Sequence, residues 1–380
     1  MLSVKFHKFS FILLFLLFSF NSLATLPEPL IRVAIQKNIP NLTIVSMADH
    51  SLTISDKNTN QEIWNGNSAN IASHKTGLQI NNNNIHTSNI IIEASNNLFQ
   101  VGSNIYRGKL RVIKQNNSLL VINDLPLETY IAGLINSEIS SSWPEETIKA
   151  QAIAARTYAL NQIEQRKRAN PSNLYDIGAT TLDQVYFGAH REDLKSIRLV
   201  KATQGEVLKC EGKIFPAYYH SCCGGQTQKA SNVWEHAKGP APILDRFCER
   251  SPKHDWEFKI SLKDFLHKIS ANKQQLNKIV SITTIPFFDS PRVNTLLIET
   301  TDDVLEIKAT ELRSLFGYSI FKSTWFEVKL EGNQLTFQGR GYGHGVGMCQ
   351  WGAKGMAEQG YNYQDILKFY YPNAEIAKIY

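Results

Sequence analysis

Leu127, Ile131, Leu134 and Ile135 recur at helical spacing, and the next position on that apolar face is occupied by Glu138. A carboxylate there lies near the C-terminal end of its helix, where the negative end of the macrodipole disfavours the charged form. Partial burial acts in the same direction, so both effects raise the carboxyl pKa. A carboxylic acid still protonated near neutral pH is what protonation of a glycosidic oxygen requires. The competing assignment is structural, a helix-terminal Glu paired with Arg156 or a lysine. Arg156 stands beside Tyr158 in a stretch too rich in alanine for an ordinary charged face. If the two side chains met, the pair would lower the pKa of Glu138 and oppose the other two effects.

Two further clusters carry chemical groups. Residues 339–347 alternate glycine with other residues around His344, and Met348, Gln350 and Trp351 follow. A phosphate cradle needs a strand-to-helix context and a Lys-Ser/Thr sequel, which is missing here. Close backbone approach to a polar, ring-shaped ligand suits the glycines better, although the same Trp and Gln mix is common in cores. The five cysteines are Cys210, Cys222, Cys223, Cys248 and Cys349, an odd number that leaves at least one unpaired. With His220 and His254, three of them (Cys222, Cys223 and Cys248) could supply a zinc site. Their spacing lacks the paired CxxC pattern and an exported location favours oxidation, so a disulfide between the 222–223 pair and Cys248 is expected instead of a metal.

These groups need elements to hold them. From Ile31 to Ile122, short apolar alternations are separated by Asn-rich turns such as residues 81–84, a pattern of consecutive antiparallel strands. A helical pair follows. Asp124 and Pro126 suit the start of the first helix, and Ser142 with Glu145 fits a capping box for the second, an Ala-rich helix ending in basic residues near Arg168. Residues 176–256 alternate strands and loops, 259–280 read as a helix, 281–340 as strands, and 363–370 as a final helix. The class is α+β: a β-rich N-terminal module over residues 25–120, then a mixed domain over 121–380 with a central helical pair and antiparallel strands.

The chain of 380 residues is 43% hydrophobic and 19% charged with a formal charge of +6, which excludes disorder as the whole answer and gives no nucleic-acid signature. Lys5 and Lys8, an apolar run over residues 11–18 and Ser22-Leu23-Ala24 have the form of a cleavable export signal over residues 1–24. That run is well short of the roughly 20 residues of a membrane-spanning helix, and no later segment approaches that length. The expected location is periplasmic or wall-associated.

Six blocks then agree in order with one family. They are Asn123-Asp124-Leu125-Pro126-Leu127-Glu128-x-Tyr130, the run from Ser137-Glu138 to Ser142-Trp143-Pro144, and residues 149–160 around Arg156 and Tyr158. Asp183-Gln184-Val185-Tyr186, Tyr219-His220-Ser221-Cys222-Cys223-Gly224-Gly225 and residues 339–352 complete the set. Over residues 120–372 the chain resembles the stage II sporulation protein D (SpoIID/LytB) family. The resemblance implies a peptidoglycan lytic transglycosylase acting on glycan strands already stripped of stem peptides by an amidase. It implies Glu138 and Arg156 as catalytic residues, with Tyr158, Gln184, His220, His344 and Gln350, all inside the matched blocks, as substrate-binding residues. No cofactor is implied: the zinc ligands that some members carry ahead of the Gln-Val-Tyr block are replaced here by residues 177–183. Two alternatives accompany it. One is a non-catalytic glycan-binding enhancer of an amidase, and the other is a metal-dependent wall amidase or peptidase using His220, His344 and cysteines.

Overall fold

The computed structural model describes residues 27–48, 50–269, 279–301 and 303–380, so the expected export signal lies outside the described residues. The α+β class holds. The twelve N-terminal strands form two sheets, one of six strands and one of seven that also takes in Ile177–Gly178 from beyond α2, and their inward residues share a single core. Asn41–Ser46 alternates exposed and buried positions along its whole length, as a strand with one face on a core must. The Asn-rich turns work because asparagine tolerates the left-handed backbone region, which Asn38, Asn60, Asn81, Asn97 and Asn116 all occupy.

The strand Ser118–Pro126 leads directly into helix α1, Leu127–Glu138, and α2 follows at Glu145–Ala169. Leu127, Tyr130, Ile131, Leu134 and Ile135 are fully buried on the first core, which orients α1 so that Glu138 ends it. The alanines of α2 have a simple cause. Ile148, Ala152, Ala155 and Ala159 face the first core, while Ala150, Ile153 and Ala154 face a second one with Met348, Ala353, Met356, Ile366 and Leu367. A helix buried on two sides needs small residues for close approach.

Helix α3, Leu194–Ala202, packs on both α1 and α2. A third, aromatic-rich core around Trp256, Phe265, Leu296, Phe316, Phe321 and Phe337 is built by two three-stranded sheets with α4, Leu262–Ile269, and α5, Ala309–Phe316. Helices α6, Gln350–Glu358, and α7, Tyr363–Tyr370, close the second core.

Several local expectations are corrected. Neither α1 nor α2 has a side-chain cap: Pro126 and Pro144 stand at their N-caps, Asp124 is bonded to Arg111, and Ser142 takes no part. Proline is tolerated there because an N-terminal helix position has no intrahelical acceptor for its missing N–H. The helix expected over 259–280 is the shorter α4, preceded by a strand at Asp255–Ser261, with residues 270–278 outside the described ones. Helix α5 lies where strands were expected, although Ala309, Leu312, Arg313 and Phe316 are buried at helical spacing.

Candidate active site

Glu138 is the last residue of α1 and is half-buried. The Val185 N–H donates to its Oε1 at 2.8 Å, Gln350 Nε2 approaches Oε2 at 3.5 Å, and the Tyr219 hydroxyl also donates to the carboxylate. Burial is the largest influence and pushes its pKa up from 4.5 to about 7, while the three donors pull it down. Protonated Glu138 therefore persists to much higher pH than an ordinary carboxylic acid.

A buried relay fixes this geometry. Tyr130 donates through its hydroxyl to Gln184 Oε1 at 3.0 Å, and Gln184 Nε2 donates to the Tyr219 oxygen at 2.9 Å and to the Ala155 carbonyl at 3.2 Å. With its oxygen accepting from Gln184, Tyr219 has its own proton free for Glu138. Burial holds both Tyr130 and Tyr219 well above the usual phenol range, so each remains a donor.

Tyr219 also lies in the wall of a cleft of about 230 Å³, lined by Tyr158, Gln162, Asp183, Tyr218, Trp234 and His344 among others. Tyr218 stacks on Trp234 with ring centroids 4.6 Å apart, and Trp234 remains 38% exposed, so an aromatic platform faces the cleft. The His344 ring lies 5.0 Å from that of Trp234. His344 Nδ1 accepts from the Val346 N–H, and the ring also bonds the Tyr219 carbonyl. Burial, reinforced by His220, holds His344 well below the usual imidazole range. His220 is pushed down to about 3 by burial and by Arg292, and its Nδ1 bonds the Val346 carbonyl. Both rings are neutral, and both serve to hold the glycine loop.

Among the expected substrate-binding residues, Tyr158 and His344 line the cleft, whereas Gln184, His220 and Gln350 are at most 5% exposed. The buried three contact protein groups instead of the cleft: Gln184 bonds Tyr219, Gln350 approaches Glu138, and His220 bonds the Val346 carbonyl of the glycine loop. Arg156 is corrected more sharply. It is fully buried and makes a two-pronged ion pair with Glu128, both contacts 2.8 Å, and also donates to the Glu206 carbonyl. Glu128 is at the opposite end of α1, ten residues or about 15 Å of helix from Glu138. The pairing of Arg156 with Glu138 does not occur; Arg156 instead joins α1, α2 and the strand Glu206–Cys210.

The expected disulfide is not formed, and all five cysteines are free thiols. The zinc set with histidines does not assemble either, since His220 faces Val346 and His254 bonds Asp255. Tyr218, Tyr219, Val185 and Trp234 were not singled out from the sequence. Val185 and Tyr219 lie inside two of the matched blocks and Trp234 is a lone Trp in a loop-rich stretch, whereas nothing in the sequence marks Tyr218.

Against known proteins, a family model described as stage II sporulation protein matches residues 115–209, and a domain of unknown function, DUF8618, matches residues 245–347. An uncharacterized protein of Brachyspira hyodysenteriae is 32% identical over 313 residues, 80% of this chain and 81% of that one. The stage II sporulation protein D of Bacillus amyloliquefaciens is 30% identical over 272 residues, 68% of this chain and 76% of the relative. The amidase enhancer of Bacillus subtilis is 28% identical over 294 residues, 65% of this chain but 40% of that longer protein.

Proposed function

Because the chain belongs to the stage II sporulation protein D family, we propose that it is an exported lytic transglycosylase of the cell wall, with Glu138 as its acid and then its base. The substrate is a peptide-stripped glycan strand, cut between N-acetylmuramic acid and N-acetylglucosamine. The observation that carries this reading is a half-buried carboxylic acid with a pKa of about 7, held by three donors beside an aromatic-walled cleft.

In the first step Glu138 transfers its proton to the glycosidic oxygen as the bond from the muramic C1 breaks. The Val185 N–H, Gln350 and Tyr219 stabilise the carboxylate that remains. In the second step the muramic C6 hydroxyl attacks C1, and ionised Glu138 accepts its proton. The product is a 1,6-anhydro end, no water is consumed, and one carboxyl group serves both steps, unlike the carboxyl pair of most glycoside hydrolases. Trp234, stacked on Tyr218, offers a flat apolar face to a sugar ring.

Prior action by an amidase places this chain in functional partnership with such an enzyme. A second reading, a glycan-binding enhancer of an amidase without activity of its own, is favoured by the name of the Bacillus subtilis relative. No helix of the described residues is long and apolar enough to cross a membrane.

The test is mass spectrometry of products from intact and peptide-stripped strands in ¹⁸O-labelled water. Unlabelled anhydro-muramic ends from stripped strands only, lost in Glu138→Gln, are expected. Labelled reducing ends would make the protein a hydrolase, with Asp183 of the cleft as the second carboxyl to examine. No product from either substrate, with stimulation of an added amidase, would establish the second reading.

A further inference from the structure

Behind the candidate acid, three segments remote in sequence bring sulfur and oxygen atoms to one point. We propose that Cys223, Asp245, Cys248 and Cys349 bind a structural zinc ion that locks the back wall of the active site.

The three thiol sulfurs and one carboxylate oxygen of Asp245 all lie within 4.8 Å of one another. Cys223 Sγ is 3.4 Å from Cys248 Sγ and 3.1 Å from Asp245 Oδ2. Ligand atoms around a tetrahedral zinc with bonds of about 2.0–2.3 Å are spaced roughly 3.5–3.8 Å apart, so small shifts close the shell. The three cysteines are fully buried and Asp245 is 1% exposed. Three soft thiolates with one carboxylate select zinc over calcium or magnesium, and a closed shell of four protein ligands is that of a structural site. Supporting donors are in place: the N–H groups of Cys223 and Gly352 point at Cys349 Sγ at 3.2 and 3.3 Å, and the Tyr370 hydroxyl donates to Asp245 Oδ2 at 2.9 Å.

A second observation concerns charge. Arg292 is fully buried against this cluster; its Nη2 donates to the Cys223 carbonyl at 2.6 Å and its guanidinium lies over the Trp325 ring, while Nε and Nη1 have no hydrogen-bond partner. A buried guanidinium requires nearby negative charge. Neutral thiols or a disulfide supply none and leave the Asp245 carboxylate as the cluster's single charge, whereas zinc held by three thiolates and that carboxylate carries a net charge of about −2.

The ion would tie the loop after Tyr219–His220, the segment around residues 245–248 and the start of α6 together. Tyr219 and Gln350, which contact Glu138, stand at the edges of those segments. The role is positional and adds no step at the reacting atoms.

The experiment takes the full exported chain, purified without chelator, and measures bound zinc together with the thiols open to alkylation. About one zinc per chain is expected, absent from Cys248→Ser and Asp245→Asn and retained in Cys210→Ser. Chelator should lower the melting temperature of the wild type toward that of Cys248→Ser and leave that variant unmoved. Should the variants fail to fold, cobalt exchanged into the wild type must give the thiolate charge-transfer and intense visible bands of a tetrahedral site. A metal-free chain with a full melting temperature, a peptide linked through Cys223 and Cys248, zinc retained in Cys248→Ser, or cobalt without those bands would each overturn the proposal.

Discussion

Replacing Glu138 with Gln should remove activity and make the protein more stable, but only at the pH where the wild type is ionised. The folded-state pKa of about 7 stands above the ordinary 4.5 because burial penalises the charge. Below about pH 4.5 both folded and unfolded chains hold the proton, and the penalty is absent. As pH rises the unfolded chain ionises first, so the folded state loses stability through the window from 4.5 to about 7 and the loss is constant above it. That difference corresponds to about 3 kcal/mol at roughly 1.4 kcal/mol per pH unit. The Gln side chain can still accept from Val185 through its oxygen, but its amide group faces the donors of Tyr219 and Gln350, a mismatch costing about 1 kcal/mol at any pH. Denaturant titrations should therefore place Glu138→Gln about 1 kcal/mol below the wild type near pH 4 and about 2 kcal/mol above it near pH 8.5. Turnover on peptide-stripped strands should fall by about 10²–10⁴-fold, the usual contribution of a general acid. The wild-type rate should itself decline about tenfold per pH unit above 7. A stability difference that does not vary with pH, or a variant with full activity, would refute the assignment of Glu138 as a strained proton donor.

Tyr219→Phe removes a donor that favours ionised Glu138, so the midpoint of the pH–rate profile should move upward while the maximal rate falls; a downward shift would contradict the relay. Arg156→Ala strands Glu128 without its cation and should cost about 3–5 kcal/mol in thermal or denaturant unfolding. The surviving activity should keep the wild-type pH midpoint, and a displaced midpoint would return Arg156 to the reaction. Trp234→Ala removes the exposed half of the aromatic platform and should raise KM by about 2–10-fold with little change in kcat. A fall in kcat with KM unchanged would mean that the sugar binds elsewhere.

The periodicity of residues 127–138 is enough to put Glu138 at the end of an apolar helix face, because helical spacing and burial are local consequences of residue type. The alternations and Asn turns of residues 31–122, and the Ala-rich second helix, are legible for the same reason. What that helix packs against is not: only the folded chain reveals a core on each side of α2, and it gives Arg156 to Glu128 although Glu138 was an equally plausible partner by composition. The relay from Tyr130 through Gln184 to Tyr219 joins groups 54 and 35 residues apart, and the N–H of Val185 reaches Glu138 across 47. Cys349 meets Cys223 across 126 residues. Sequence by itself determined the place of Glu138 at the end of an apolar helix face, the helix that carries it and the α+β class. Tertiary structure alone decided which donors surround that acid, which expected binding residues are sealed behind it, and that the cysteines converge, because long-range hydrogen bonds and ligand shells depend on chain reversals that leave no periodic trace.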